Sequence, residues 1–256
     1  MIKQLVIIAG FSFIFWVTTA QNSDTLYVDQ ISDSTKKAYE LYNIGVEQYN
    51  AGATDSAYQC FSAAITFKTD FAEAYNNRGV TAKRKGNVLA SLDDFKKALE
   101  LDSTLSNPYN NMGSCEKIME EYKNALLHYN KAIQLDSASY KALNNSGALK
   151  IEMHDYHGAL KDLNAAIKNN PEYAFAFNNR GHLYVKLKQY DEAVKNFDIA
   201  IKLNPNYGEA HENRGIAKEK LKDIEGACKD WEKAAELGMD LSNLYITTDC
   251  NKEKGD

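Results

Sequence analysis

The sequence predicts an all-α solenoid made by stacking one helix-turn-helix unit, and three columns of residues carry that expectation. Glycine recurs every 34 residues at Gly45, Gly79, Gly113, Gly147, Gly181 and Gly215. Alanine keeps the same period at Ala64, Ala98, Ala132, Ala166, Ala200 and Ala234. Asparagine keeps it at Asn43, Asn77, Asn111, Asn145, Asn179 and Asn213. A fixed period without drift means one supersecondary unit that buries its apolar face on its neighbours.

Counting back seven residues from each glycine divides residues 38–241 into six units: 38–71, 72–105, 106–139, 140–173, 174–207 and 208–241. Each unit holds two apolar stripes at helical spacing. In the fifth, Phe177, Gly181 and Tyr184 form the first stripe, and Ala193, Phe197, Ala200 and Ile201 the second. Lys188-Gln189 separates them as a turn, and Pro171 and Pro205 end the second helices of their units. In the third unit Ser106 or Asn107 is placed to cap the first helix, with Pro108 in its first turn. Glycine inside a helix costs up to about 1 kcal/mol against alanine. Accepting that cost in every unit implies close approach of the paired helices beside the large residues Phe61, Phe95, Tyr129, Leu163, Phe197 and Trp231.

This order of residues resembles the tetratricopeptide repeat. The fifth unit matches best, with Phe177, Gly181, Tyr184, Tyr190, Ala193, Phe197, Ala200 and Pro205. The first and last units depart most: Leu41 and His211 stand in the aromatic slot, and Met239 stands where the closing proline belongs. The resemblance implies a right-handed superhelix whose first helices line a concave groove. It also implies a final capping helix from Leu241 to Asp249, with Leu241, Leu244 and Tyr245 facing inward, inside a C-terminal segment 242–256.

The N-terminus reads as a secretory signal over residues 1–20. Lys3 precedes the apolar run Leu5–Val17, and Thr18-Thr19-Ala20 offers small residues for cleavage before Gln21. Residues 21–37 read as a polar linker. The chain is therefore expected to be exported, periplasmic or secreted, in a bacterial envelope. The alternative keeps the segment as an uncleaved anchor for a membrane-held regulatory subunit, the one circumstance that brings in a membrane.

Composition narrows the partner. The formal net charge is −5, which lacks the basic excess that nucleic-acid binding requires. No phosphate loop, nucleophile–base pattern or paired catalytic carboxylates are present, so an enzyme is not expected and a hydrolase is the least favoured alternative. No cofactor is implied. His154 and His157 lie at a turn with no further ligand, so no metal is expected. The expected partner is a protein or an extended peptide, and the expected role a scaffold or assembly factor.

The asparagine column, Asn43 to Asn213, is the foremost groove candidate, because an amide donates and accepts at once. Whether it contacts a ligand or ties adjacent helices together stays open at this level. Lys83, Arg84 and Lys117 are further groove candidates and suit an acidic stretch of a ligand. Arg78, Arg180 and Arg214 each face a polar residue sixteen places on, namely Asp94, Asn196 and Asp230. Cross-helix pairs are expected there. Asn144-Asn145-Ser146 is a glycosylation sequon on a groove helix. Cys60 and Cys115 read as small buried residues. Cys228 and Cys250 are placed to form a disulfide if the capping helix folds back over the sixth unit.

Overall fold

The computed structural model describes residues 32–246 and residue 250, without the side chains of residues 241, 243 and 244. The expected signal segment, residues 21–31 of the expected linker, and the end of the tail lie outside the described residues. So do the inward side chains expected of Leu241 and Leu244.

Thirteen helices follow one another over the described residues, with no strand between them. The first helices of the units are α1 (Asp33–Asn50), α3 (Ala72–Arg84), α5 (Ser106–Ile118), α7 (Tyr140–Glu152), α9 (Ala174–Lys186) and α11 (Gly208–Lys220). The second helices are α2 (Thr54–Phe67), α4 (Val88–Leu101), α6 (Tyr122–Leu135), α8 (Tyr156–Asn169), α10 (Tyr190–Leu203) and α12 (Ile224–Glu236). A short α13 (Asp240–Tyr245) follows. Each first helix packs most extensively on its own second helix, and each second helix on the next first helix. First helices also touch the first helices of adjacent units, from α1 with α3 through α9 with α11. Neighbouring second helices make no comparable contact. The first helices therefore form the inner wall of a right-handed α-solenoid.

Two boundaries differ from expectation. Helix α1 begins at Asp33, inside the expected linker, because Ser32 caps it by accepting from the Thr35 amide at 3.2 Å. Helix α5 begins at Ser106, with Leu105 in the capping position and no side-chain cap. Ser106 and Asn107 are thus helical, and Pro108 lies buried in the first turn.

The core is a file of small clusters and has no single centre. Phe95 packs with Met112 and Cys115, Leu163 with Ile151 and Leu183, and Phe197 with Ala193 and Ala217. Each cluster joins a second helix to the first helix of its own or the following unit, so stability runs from neighbour to neighbour. Cys115 is fully buried, whereas Cys60 is only partly so.

The lattice glycines explain the helix spacing. A Cβ on Gly79 would lie 2.7 Å from the Phe95 ring, and one on Gly181 2.6 Å from the Phe197 ring. At Gly113 it would meet both the Tyr129 ring at 2.8 Å and the Ala125 carbonyl at 2.9 Å. The large residue of the second helix lies against the bare backbone of the first. The turn between the helices needs a left-handed residue. Gly52 and Gly86 supply it at φ 82°, while Glu120, His154, Lys188 and Lys222 adopt φ of 59–68° in the later units.

The C-terminal end is closed in register. Tyr245 lies 34 residues beyond His211, so it continues the aromatic slot as the start of a seventh first helix. It stacks on the fully buried Trp231 with ring centroids 4.9 Å apart. Ser242 donates to Glu212 at 3.0 Å, both buried. Cys228 and Cys250 are joined in a disulfide across a sequence separation of 22. By the chain-entropy estimate that crosslink contributes about 3 kcal/mol. Helix α13 is described as far as Tyr245, and residues 247–249 of the helix expected to run to Asp249 lie outside the described residues.

Gly113→Ala is expected to destabilise the array by about 1–3 kcal/mol, despite the better helix propensity of alanine. Both neighbours of the new methyl group are fixed, one being backbone. A chemical denaturation midpoint at or above that of the parent chain refutes the close-approach explanation.

Candidate functional site

The inner wall carries the asparagine column, and the structure gives that column a definite occupation. The Asn111 side-chain amide donates to Asn76 Oδ1 at 3.0 Å, Asn145 to Asn110 at 2.9 Å, Asn179 to Asn144 at 2.8 Å and Asn213 to Asn178 at 3.2 Å. Asn77 donates to the Tyr42 hydroxyl at 2.9 Å. Every bond spans 35 residues, one more than the lattice period. The acceptor is therefore the neighbour of the preceding unit's lattice asparagine. Asn76 and Asn144 in turn donate to Asn77 and Asn145 at 3.1 and 3.4 Å. Asn43 has no preceding unit and is exposed. The column thus ties consecutive first helices together.

A second polar capacity remains on the same wall. The Oδ1 atoms of Asn111, Asn179 and Asn213 receive no donor among the described residues. These side chains are only half-buried, so three acceptor oxygens and the second N–H of each amide keep free capacity. The sequence signalled the tandem Asn-Asn pairs but not their roles, which depend on a one-residue offset between neighbouring helices.

The groove cations divide. Lys117 pairs with Glu152 at 2.6 Å, bridging the third and fourth units. Arg84 lies over the Tyr49 ring at 5.2 Å and donates to the Tyr49 carbonyl at 3.4 Å. Lys83 is half-buried and has no carboxylate partner among the described residues. Burial lowers its ammonium pKa, and the Cys115 thiol offsets part of that. His182 also feels the inner wall. Burial pushes its imidazole pKa down and Lys186 adds to this, while Glu209 and Glu152 oppose. At the opposite end of α3 from Lys83 is a recess of about 280 Å³, lined by Glu73, Asn76, Asn107, Pro108, Leu135 and Asp136 among others.

Arginine braces tie the two layers of helices together. Arg78 donates from Nε and Nη2 to Asp94 at 2.9 and 2.6 Å, a two-bond fork. Arg214 grips Asp230 the same way at 2.9 and 2.5 Å. Arg180 donates to Asn196 at 2.8 Å. Each also reaches back sixteen residues to the preceding second helix: to Ser62 at 3.4 Å, Asp198 at 2.6 Å and Asn164 at 2.7 Å respectively. One guanidinium therefore joins three helices. Where arginine is absent, other groups act. Lys150 and Ser146 both bond Asp162 at 2.6 Å, and Glu116 and the His128 ring lie 2.6 Å apart. Burial opposes ionisation of Asp230, but hydrogen bonds and charge from Arg214 and Lys218 outweigh it and hold its carboxyl below the usual range.

Among the described residues no cluster of three or more His, Cys, Asp or Glu side chains is placed to hold a metal ion. His154 contacts the Tyr156 hydroxyl at 3.0 Å. The sequon is built into the wall, with Asn144 5% and Ser146 0% exposed, so a glycan has no access in the folded chain. No described helix is long and apolar enough to cross a membrane.

Arg78→Met leaves Asp94, 6% exposed, without its partner. The expected loss is about 2–4 kcal/mol, below the full cost of a buried pair because the arginine itself is partly exposed. Asp94→Asn in the same chain is expected to restore part of it. Additive losses in that double-mutant cycle would remove the brace as an explanation.

Tetratricopeptide-repeat models match residues 72–105, 106–139 and 174–207. No curated protein sequence matches the chain significantly. Among solved structures, the Cut9–Hcn1 hetero-tetramer of APC/C is similar over 86% of this chain at 18% identity and a TM-score of 0.79. This chain spans 44% of the length of that one. PilF of Pseudomonas aeruginosa is similar over 84% of this chain and 99% of its own, at 16% identity and a TM-score of 0.71. YrrB, described as a TPR protein with an unusual peptide-binding site, is similar over 73% of this chain and 97% of its own, at 23% identity and a TM-score of 0.53. In all, 417 solved chains match, a breadth at which likeness speaks for fold and not for partner. Three units match the family's models directly and the other three repeat the same lattice and helix pair, so the chain is a tandem tetratricopeptide-repeat protein.

Proposed function

We propose that this chain holds an extended segment of a polypeptide partner along the inner wall of its first helices. A tandem array of this family is a protein-interaction scaffold, and the finer reading concerns where the partner lies. One observation carries it: the ladder oxygens of Asn111, Asn179 and Asn213 receive no donor among the described residues after one N–H of each amide is used between units. Such acceptors suit the N–H groups of an extended backbone, which β-paired or helical partners do not offer in a row. YrrB, a similar array described as having an unusual peptide-binding site, agrees with this reading. Binding without chemistry is the role this supports.

The test uses a photo-crosslinking amino acid at one of two places. Ala148 faces the inner wall, and Lys161 is exposed on the second helix α8 of the same unit. Adducts with a native partner are expected from position 148 and not from 161. Adducts from 161 alone place the partner on the outer face and end the inner-wall reading.

We further propose an exported compartment, periplasmic or secreted. The N-terminal apolar run and the Cys228–Cys250 disulfide support it, since disulfides persist in oxidising compartments. The mature chain is expected to begin at Gln21. An N-terminus at Met1 in the purified native protein favours the membrane-held alternative instead.

A further inference from the structure

The second and third units break the lattice at two exposed places. Ile118 is 60% exposed at the end of α5, where the other units carry Asn50, Arg84, Glu152, Lys186 and Lys220. Leu89 is 68% exposed at the start of α4, where the others carry Asp55, Lys123, His157, Asp191 and Glu225. Five polar residues against one leucine or isoleucine, at sites turned to solvent, argue against a packing role for either side chain.

Both lie beside the unbalanced cations. Arg84 ends α3 and Leu89 lies just past the turn that follows it. Lys83 interacts with Cys115 of α5, and Ile118 lies one turn further along the same face of that helix. Three nearby carboxylates are engaged elsewhere, Asp55 by Lys85 at 2.6 Å, Glu116 by His128 and Glu152 by Lys117, while Glu120 is exposed in the turn after α5. The result is a lip of two cations and two apolar side chains at the helix-end edge of the wall. The recess at the other end of α3 carries Glu73 and Asp136. Across these units the wall is thus positive at one edge and negative at the other, which orients a charged ligand.

We propose that this lip docks a segment of the partner in which acidic side chains alternate with bulky apolar ones. It rests on the inner-wall reading above and adds the chemistry of the ligand. The carboxylates would meet Lys83 and Arg84, and the apolar groups would cover Ile118 and Leu89. Lys83 is the more selective cation, because burial has already removed much of its water and a carboxylate would replace it.

The test uses the whole chain and short fluorescein-labelled peptides in an anisotropy titration. A Glu–Leu alternating peptide is expected to bind at least about tenfold more tightly than its Gln–Leu and Glu–Ser counterparts. Lys83→Gln with Arg84→Gln is expected to remove the preference for Glu over Gln, and Ile118→Ser with Leu89→Ser the preference for Leu over Ser. Arg84→Glu is expected to shift preference toward a Lys–Leu peptide. Lys229→Gln, a remote lysine paired with Glu225, is expected to change nothing. Equal binding of the Glu–Leu and Gln–Leu peptides by the parent chain overturns the proposal. If crosslinking from position 148 persists in that case, the inner-wall reading stands and only the lip falls. Loss of that crosslinking removes both.

Discussion

The contact between a lattice glycine and the large side chain of the paired helix sets the rest of the molecule. With no Cβ on Gly79 or Gly181, the rings of Phe95 and Phe197 rest against helix backbone. Helix separation within a unit then follows from ring thickness. The large side chain changes identity along the array, from phenylalanine to tyrosine, leucine and tryptophan, while the glycine does not. Constancy lies on the side where a single methyl group has no room. Each unit consequently presents the same surface to the next, and a repeated surface permits a repeated polar connection.

That connection has two parts acting in different directions. The asparagine ladder runs along the inner wall and fixes first helix to first helix. The arginine braces run through the thickness of the array, from a first helix to its own second helix and to the preceding one. Alanine and leucine contacts tolerate sliding, whereas a fork of two N–H groups on a carboxylate does not. The polar groups thus specify register where the apolar ones supply most of the burial. At the C-terminus the same logic ends: Glu212 replaces the asparagine and meets Ser242, and a disulfide holds the start of a seventh unit over Trp231.

The inner wall follows from these constraints. One N–H of each ladder amide from Asn77 to Asn213 is bound within the array, which leaves acceptor oxygens, the remaining N–H groups and a few cations on the inner wall. Charge is uneven along it, with Lys117 neutralised by Glu152 and Lys83 without a carboxylate partner among the described residues. On the proposed inner-wall reading, such a surface would distinguish ligands by backbone first and by side-chain charge second.

The sequence by itself determined the solenoid, its six units and the helix pairs, because a period of 34 residues with glycine, alanine and aromatic columns admits few other folds. It also placed the partners of Arg78, Arg180 and Arg214, since a fixed interval of sixteen residues links facing positions of two antiparallel helices. It misjudged the start of α1, where the Ser32 cap extends the helix into polar residues, and the start of α5, where Leu105 takes the capping position. The tertiary structure alone showed that the asparagines tie consecutive first helices together. Their bonds cross units with an offset of one residue from the lattice, and such an offset comes from how one helix lies on the next. It alone also showed that Lys117 is paired and that Lys83 has no carboxylate partner among the described residues, because the spacing of charges in sequence does not say which carboxylate lies within reach once the helices stack.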